Sequence, residues 1–187
     1  LEGYKKTDSP LSDILIIYSG SSIIPDNEYA MIVDKITSGI NDDEEIVSIL
    51  SGFIEGKEVR LFAKDSNHAK DVVPGDVLTI TRTSKGYLGG YKKIYNNETK
   101  TDLYPNARFD ARIRTIRGVV EDVDGPFITI NSNGNHFLYN ISHERSYAYC
   151  FEKDGRTYVL DKGEIIPGQE IFLRITYELP MEIVIYK

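Results

Sequence analysis

Cys150 is the single cysteine of this 187-residue chain, and His68, His136 and His143 are its three histidines. A thiol becomes a nucleophile beside an imidazole, but that pairing is spatial and the spacing along the chain does not supply it. Cys150 stands in the run Tyr147-Ala148-Tyr149-Cys150-Phe151, where a buried, inert thiol is the expectation. One cysteine forms neither an internal disulfide nor a cysteine-pair zinc site, and the histidines show no paired spacing on one element. Asn41-Asp42-Asp43-Glu44-Glu45 gathers carboxylates of the kind calcium takes. It lacks both the spaced D-x-D-x-D-G pattern and the distant glutamate, and reads as a solvated hairpin tip. Gly86-Tyr87-Leu88-Gly89-Gly90-Tyr91 has the glycines of a phosphate cradle, without the following Lys-Ser/Thr pair or a helix pattern, and reads as a β-bend. No Gly-x-Ser-x-Gly elbow occurs, and nothing singles out a pair of acids for glycoside hydrolysis. These patterns predict no enzyme, no cofactor and no metal centre.

Two groups suit a ligand or partner surface. Tyr147, Tyr149 and Phe151 share one face of a predicted strand, and Tyr158 lies on its neighbour across the Asp154-Gly155 turn. Such a stripe stacks on sugar rings or on a partner, and it equally makes core or cross-strand pairs. Arg108, Arg112 and Arg114 fall on one parity of another strand, a cationic strip for an anionic polymer that Asp110 interrupts. The simpler reading of that strip is a solvated strand face.

The elements that carry these residues are strands. Val59, Leu61 and Ala63 alternate with polar neighbours, as do Leu78 with Ile80, Phe127-Ile128-Thr129-Ile130, and Phe137-Leu138-Tyr139-Asn140-Ile141. Asp124-Gly125, Asn133-Gly134 and Asp154-Gly155 supply tight turns between them. Helix is confined to turns near Ser66 to Lys70 and Ser142 to Ser146. Ile113 and Ile116 fall on opposite parities, which predicts a bulge near Thr115.

A repeat organises the strands. Ala30-Met31-Ile32-Val33-Asp34-Lys35 resembles Arg117-Gly118-Val119-Val120-Glu121-Asp122, and Gly56 to Leu61 resembles Gly134 to Tyr139. Val72-Val73-Pro74-Gly75-Asp76 answers Ile165-Ile166-Pro167-Gly168-Gln169, with the register beyond it ambiguous by one residue. The second copy gains most between Tyr147 and Asp161. The predicted fold is mainly β: two tandem small β-barrel-like units of OB or SH3 type over 27–100 and 101–187, after an N-terminal arm and strand over 1–26.

Hydrophobic residues make up 41% and charged residues 27%, a globular composition, and no apolar run is long enough to span a bilayer. Ile14-Leu15-Ile16-Ile17-Tyr18 reads as a buried strand. Lys+Arg 22 against Asp+Glu 29 gives a net charge of −7, shared by both halves, from which the expectation is no nucleic-acid partner. A start at Leu1 without a signal peptide reads as a fragment of a longer protein.

The order of Ala30 to Val33, Gly56 to Val59, Val72 to Ile80 and Glu182-Ile183-Val184-Ile185-Tyr186 resembles tandem repeats of Gram-positive, clostridial-type cell-surface proteins that also carry S-layer homology modules. Gln169 departs from that pattern, which has an Asp there. The resemblance implies an extracellular, cell-wall-associated, non-enzymatic structural or binding module, with a wall polymer or a neighbouring surface protein as its partner. The alternatives are an OB-type oligonucleotide-binding module and an accessory domain that binds cell-wall glycan.

Overall fold

The computed structural model describes residues 28–103 and 113–187. Among these residues it has thirteen strands, one 3-10 turn at Lys162–Glu164 and no α-helix. The first sheet takes β1 (Glu28–Ile40), β2 (Ile46–Ile54), β3 (Lys57–Phe62), β4 (Val77–Arg82), β5 (Leu88–Asn96) and β6 (Thr101–Asp102), in the order β3-β2-β1-β4-β5-β6. The second takes β7 (Ile113–Asp124), β8 (Phe127–Ser132), β9 (Asn135–Asn140), β10 (Tyr147–Phe151), β11 (Thr157–Leu160), β12 (Glu170–Thr176) and β13 (Leu179–Tyr186). Its order is β11-β10-β13-β12-β7-β8-β9.

Turn chemistry sets the hairpins. Asn133 and Gly134 have φ of 52° and 81°, the double left-handed geometry that matches strand twist. Tyr177 and Glu178 adopt the same geometry, at 51° and 64°, with neither Asn nor Gly to signal it. The segments at Ser66 to Lys70 and Ser142 to Ser146 form turns and bends.

The two sheets share a pairing pattern. β1 pairs with β2 and β4, β2 with β3, and β4 with β5. β7 pairs with β8 and β12, β8 with β9, and β12 with β13. The register slips between Val33 and Lys35 in β1 and between Val120 and Asp122 in β7, so Asp34 and Glu121 hold matching bulges. Val33 N–H donates to the Asp76 carbonyl and Gly75 N–H donates to that of Val33; Val120 does the same with Gln169 and Gly168. Those bonds fix the register after each Pro-Gly pair: Val77 lies beside Ile32 as Glu170 lies beside Val119.

Neither sheet closes into a barrel among the described residues; the first ends at β3 and β6, the second at β11 and β9. In the second sheet, β10 occupies the free edge of β13 and runs parallel to it, from Tyr147 beside Glu182 to Phe151 beside Tyr186.

Burial explains the architecture. Met31, Val33, Leu50, Leu61, Leu78 and Ile80 pack on one side of the first sheet; Ile116, Val120, Ile130, Leu173, Ile183 and Ile185 pack on one side of the second. A third cluster joins the two: Ile32, Val77 and Tyr95 meet Tyr149, Phe172, Val184 and Tyr186. The Tyr95 ring lies 4.9 Å from Phe172 and 5.0 Å from Tyr186, centroid to centroid. Each fully buried side chain of this size contributes about 1.5–3 kcal/mol.

The bulge expected near Thr115 is absent. β7 keeps continuous register with β12 from Ile113 beside Thr176 to Val119 beside Glu170. Ile116 enters the core of the second sheet, while buried Thr115 faces the other way and donates its hydroxyl hydrogen to Asp102. Both faces of the strand are covered at Thr115 and Ile116, so Ile113 and Ile116 need not share one.

Candidate functional site

The aromatic stripe lies where the two sheets meet. Tyr149 is fully buried, with Tyr147 and Phe151 partly buried beside it in the joining cluster. The Tyr149 hydroxyl accepts the Gly56 N–H at 3.0 Å, and burial pushes its pKa up. Gly56 has φ of 73°, and a Cβ there would stand 2.8 Å from the Tyr147 ring, so the hairpin needs glycine twice over. Tyr158 projects to the opposite side of the second sheet, packs against that sheet's own core and donates to Glu152 at 3.3 Å. Bonding to buried Cys150, followed by burial, pushes the Tyr158 hydroxyl up. The four aromatics therefore form no common surface, and Tyr149 offers no face to a ligand.

Arg114 is engaged: its guanidinium pairs with Glu178 at 2.5 Å and lies 5.8 Å from the Tyr139 ring centroid. Arg108 and Arg112 lie outside the described residues. At the acidic tip, the Asn41 side chain accepts the N–H groups of Asp43 and Glu45 at 3.0 and 2.9 Å, which holds the turn from within.

The insertion β10–β11 decides which exterior is open. On the first sheet, the outward side of β1 and β2 carries Ile32 and Phe53, and both are covered. Ile32 is wholly buried, and the Phe53 ring lies 6.0 Å from that of Tyr149. Asp34, the bulge residue, accepts the Thr157 N–H of β11 at 2.8 Å. The matching positions on the second sheet are free of such a cover: Val119, the counterpart of Ile32, is 42% exposed. Glu121, the counterpart of Asp34, pairs with His136 Nδ1 at 2.6 Å on its own sheet.

A groove of about 850 Å³ lies over this open exterior. Its floor is Arg117 to Glu121 of β7; Asn131, Ser132, Asn133 and Asn135 form one wall, and Lys100 to Asp102 with Glu170 the other. Arg117 pairs with Glu170 at 3.3 Å. Burial pushes the Tyr95 hydroxyl up to about 12, and the nearby Arg117 guanidinium opposes that rise. Burial likewise raises the Asp102 carboxyl, against the hydrogen bond from Thr115. Amide side chains supply donors and acceptors side by side, so the groove can hydrogen-bond the edges of a polar ligand. The exterior changes sign with distance: Asp122 and Asp124 follow along β7, so cations are confined to the end next to the first sheet.

Sequence reasoning passed over this groove because its parts are common residues from four separate segments. The nearest signal was the exposed parity of β7 and β8, which the repeat aligns with a buried parity in the first copy.

No protein-family model matches the chain, and no curated protein matches it. Among solved structures it is similar to a murine DNA-binding protein bound to double-stranded DNA, at 8% identity over 86% of this chain and 90% of that one, with a TM-score of 0.30. It is similar to the HINb domain of p204, at 11% identity over 87% of this chain and 95% of that one, with a TM-score of 0.29. The tetrameric HIN2 domain of p202 matches at 11% identity over 86% of this chain and 87% of that one, with a TM-score of 0.29. The expectation of no nucleic-acid partner runs counter to these neighbours, one of which is described on double-stranded DNA. Its physical fault is that net charge sums the whole chain, whereas a ligand meets the local field of one groove.

Proposed function

We propose that the chain is a non-enzymatic binding module of two tandem OB-like units, and that it holds a single strand of nucleic acid in the groove over β7 and β8. The observation that carries this reading is the uncovered exterior of the second unit. OB folds take oligonucleotides and oligosaccharides on that strand face, and here the first unit's equivalent face is sealed by β10–β11. Lys100 supplies the phosphate contact, and the amides of Asn131 and Asn135 meet base edges. Few cations take part, so the affinity is modest and its salt dependence shallow.

A fluorescence-anisotropy titration with labelled single strands of DNA and RNA tests this. Saturable binding that weakens with salt and with Asn135→Ala supports it; no saturation at millimolar-range protein overturns it.

The pairing of Arg117 with Glu170 favours a second reading, since it removes one cation from the groove. A neutral or weakly charged oligosaccharide suits the amide wall as well. In that reading the chain is a cell-surface, wall-associated module, in line with the repeats it resembles. Pelleting with isolated wall sacculi, together with no oligonucleotide binding, would select it.

A further inference from the structure

We infer that the nucleic-acid path does not end in the groove but crosses the seam between the sheets into a second, lysine-lined cavity that grips the phosphodiester backbone. This rests on the proposed function and extends it. The second cavity, of about 640 Å³, shares Lys100 and Glu170 with the groove, so the two adjoin at those side chains. Lys100, Lys153 and Lys187 line it, with Glu170 as the single acidic side chain among its lining residues. Arg117 neutralises that acid, and among the described residues no carboxylate pairs with any of the three lysines. In a chain of net charge −7 this is a local reversal of sign. Field from three unpaired ammonium groups over a low-dielectric floor attracts a polyanion in a way the overall charge opposes.

The floor is fixed. Lys100 Nζ lies 5.1 Å from the Tyr186 ring centroid and donates to Asn97 at 2.6 Å, and Lys187 N–H donates to the Phe151 carbonyl at 3.0 Å. Lys100 therefore stands at the junction, with the amide groove on one side and Lys153 and Lys187 on the other. A strand seated with its bases against Asn131 and Asn135 reaches these lysines only if it is long enough to pass Lys100. The opposite direction leads to Asp122 and Asp124, which repel it.

The test compares short and long labelled strands, about 4 and 12 nucleotides, within the range of OB site sizes. Binding of both is measured against salt for the unaltered chain and for Lys153→Glu with Lys187→Glu. Both lysines are exposed, so the fold tolerates the change. The expected result is about tenfold tighter binding of the long strand, abolished by the double substitution, with the short strand unaffected. The salt slope for the long strand falls by about 1.4, from two lost phosphate contacts. Equal binding of both lengths, unmoved by the substitutions, overturns the seam path and leaves the groove standing. Failure of both strands to bind overturns the proposed function, and the seam path with it.

Discussion

The hydroxyl of Tyr149 accepts a hydrogen bond from the backbone N–H of Gly56 at 3.0 Å, tying the β10 stripe to the β2–β3 turn of the other sheet. Tyr149→Phe keeps the ring and strands a part-buried donor, which costs about 1–3 kcal/mol. Tyr149→Ala also opens a cavity and costs about 3–5 kcal/mol. Urea unfolding of the two variants measures both, and equal midpoints for Phe and Tyr would show the bond to be idle.

Asp76 and Gln169 hold matching places in the repeat and do the same local work. Asp76 Oδ2 accepts the Val73 N–H at 3.0 Å, and Gln169 Oε1 accepts the Ile166 N–H at 3.0 Å. Asp76 alone is wholly buried, accepts the Asn97 N–H at 2.8 Å and pairs with Lys93 at 2.7 Å. Asp76→Ala therefore costs about 3–5 kcal/mol, since it strands a largely buried cation, while Gln169→Ala costs about 1 kcal/mol. Denaturant curves that rank the two the other way would refute this.

Arg174 and Glu182 form an ion pair at 2.8 Å with about one-twentieth of each side chain exposed. Breaking it with Glu182→Ala leaves a buried guanidinium and costs about 3–5 kcal/mol; Arg174→Met with Glu182→Leu together is near neutral. A double-mutant cycle resolves the two cases.

Burial raises the Asp102 carboxyl, so folding favours its protonated form. The sign follows: its contribution to stability is present in full below the unfolded carboxylate value and is lost as pH rises through the folded one. Asp102→Asn, which removes the charge and keeps an acceptor for Thr115, raises the melting temperature at pH 7. That gain closes as pH falls below the ordinary aspartate value of 3.8. A pH-independent gain would place its origin elsewhere.

Tyr177 carries the left-handed geometry at φ of 51° with its side chain half exposed. Tyr177→Asn relieves a conformation disfavoured for most L-residues and stabilises by about 0.5–1 kcal/mol. Thermal unfolding of the variant checks it.

Strand character and most turns were legible because alternation and Asn-Gly or Asp-Gly pairs are local signals. The Tyr177-Glu178 turn has no such signal; the surrounding β12–β13 pairing imposes it. The bulge misplaced at Thr115 shows the limit of parity. Counting alternation assumes one wet face, and β7 has none at that point; the slip within β7 sits at Glu121, with its match at Asp34 in β1. The candidate site was less legible. The Tyr147, Tyr149 and Phe151 stripe showed that something packs there, but only the parallel β10–β13 pairing, a contact between distant segments, shows that the first sheet does.

That order of pieces bears on how the chain folds as it is made. Every strand of the first sheet has emerged by Asp102, yet Phe172, Val184 and Tyr186, which cover Ile32, Val77 and Tyr95, come much later in the chain. At translation rates of about 5–20 residues per second, the nascent sheet waits on the order of ten seconds with an apolar side bare. Ribosome-associated chaperones would find their substrate in that interval, and synonymous changes that slow translation across the second half would lengthen it.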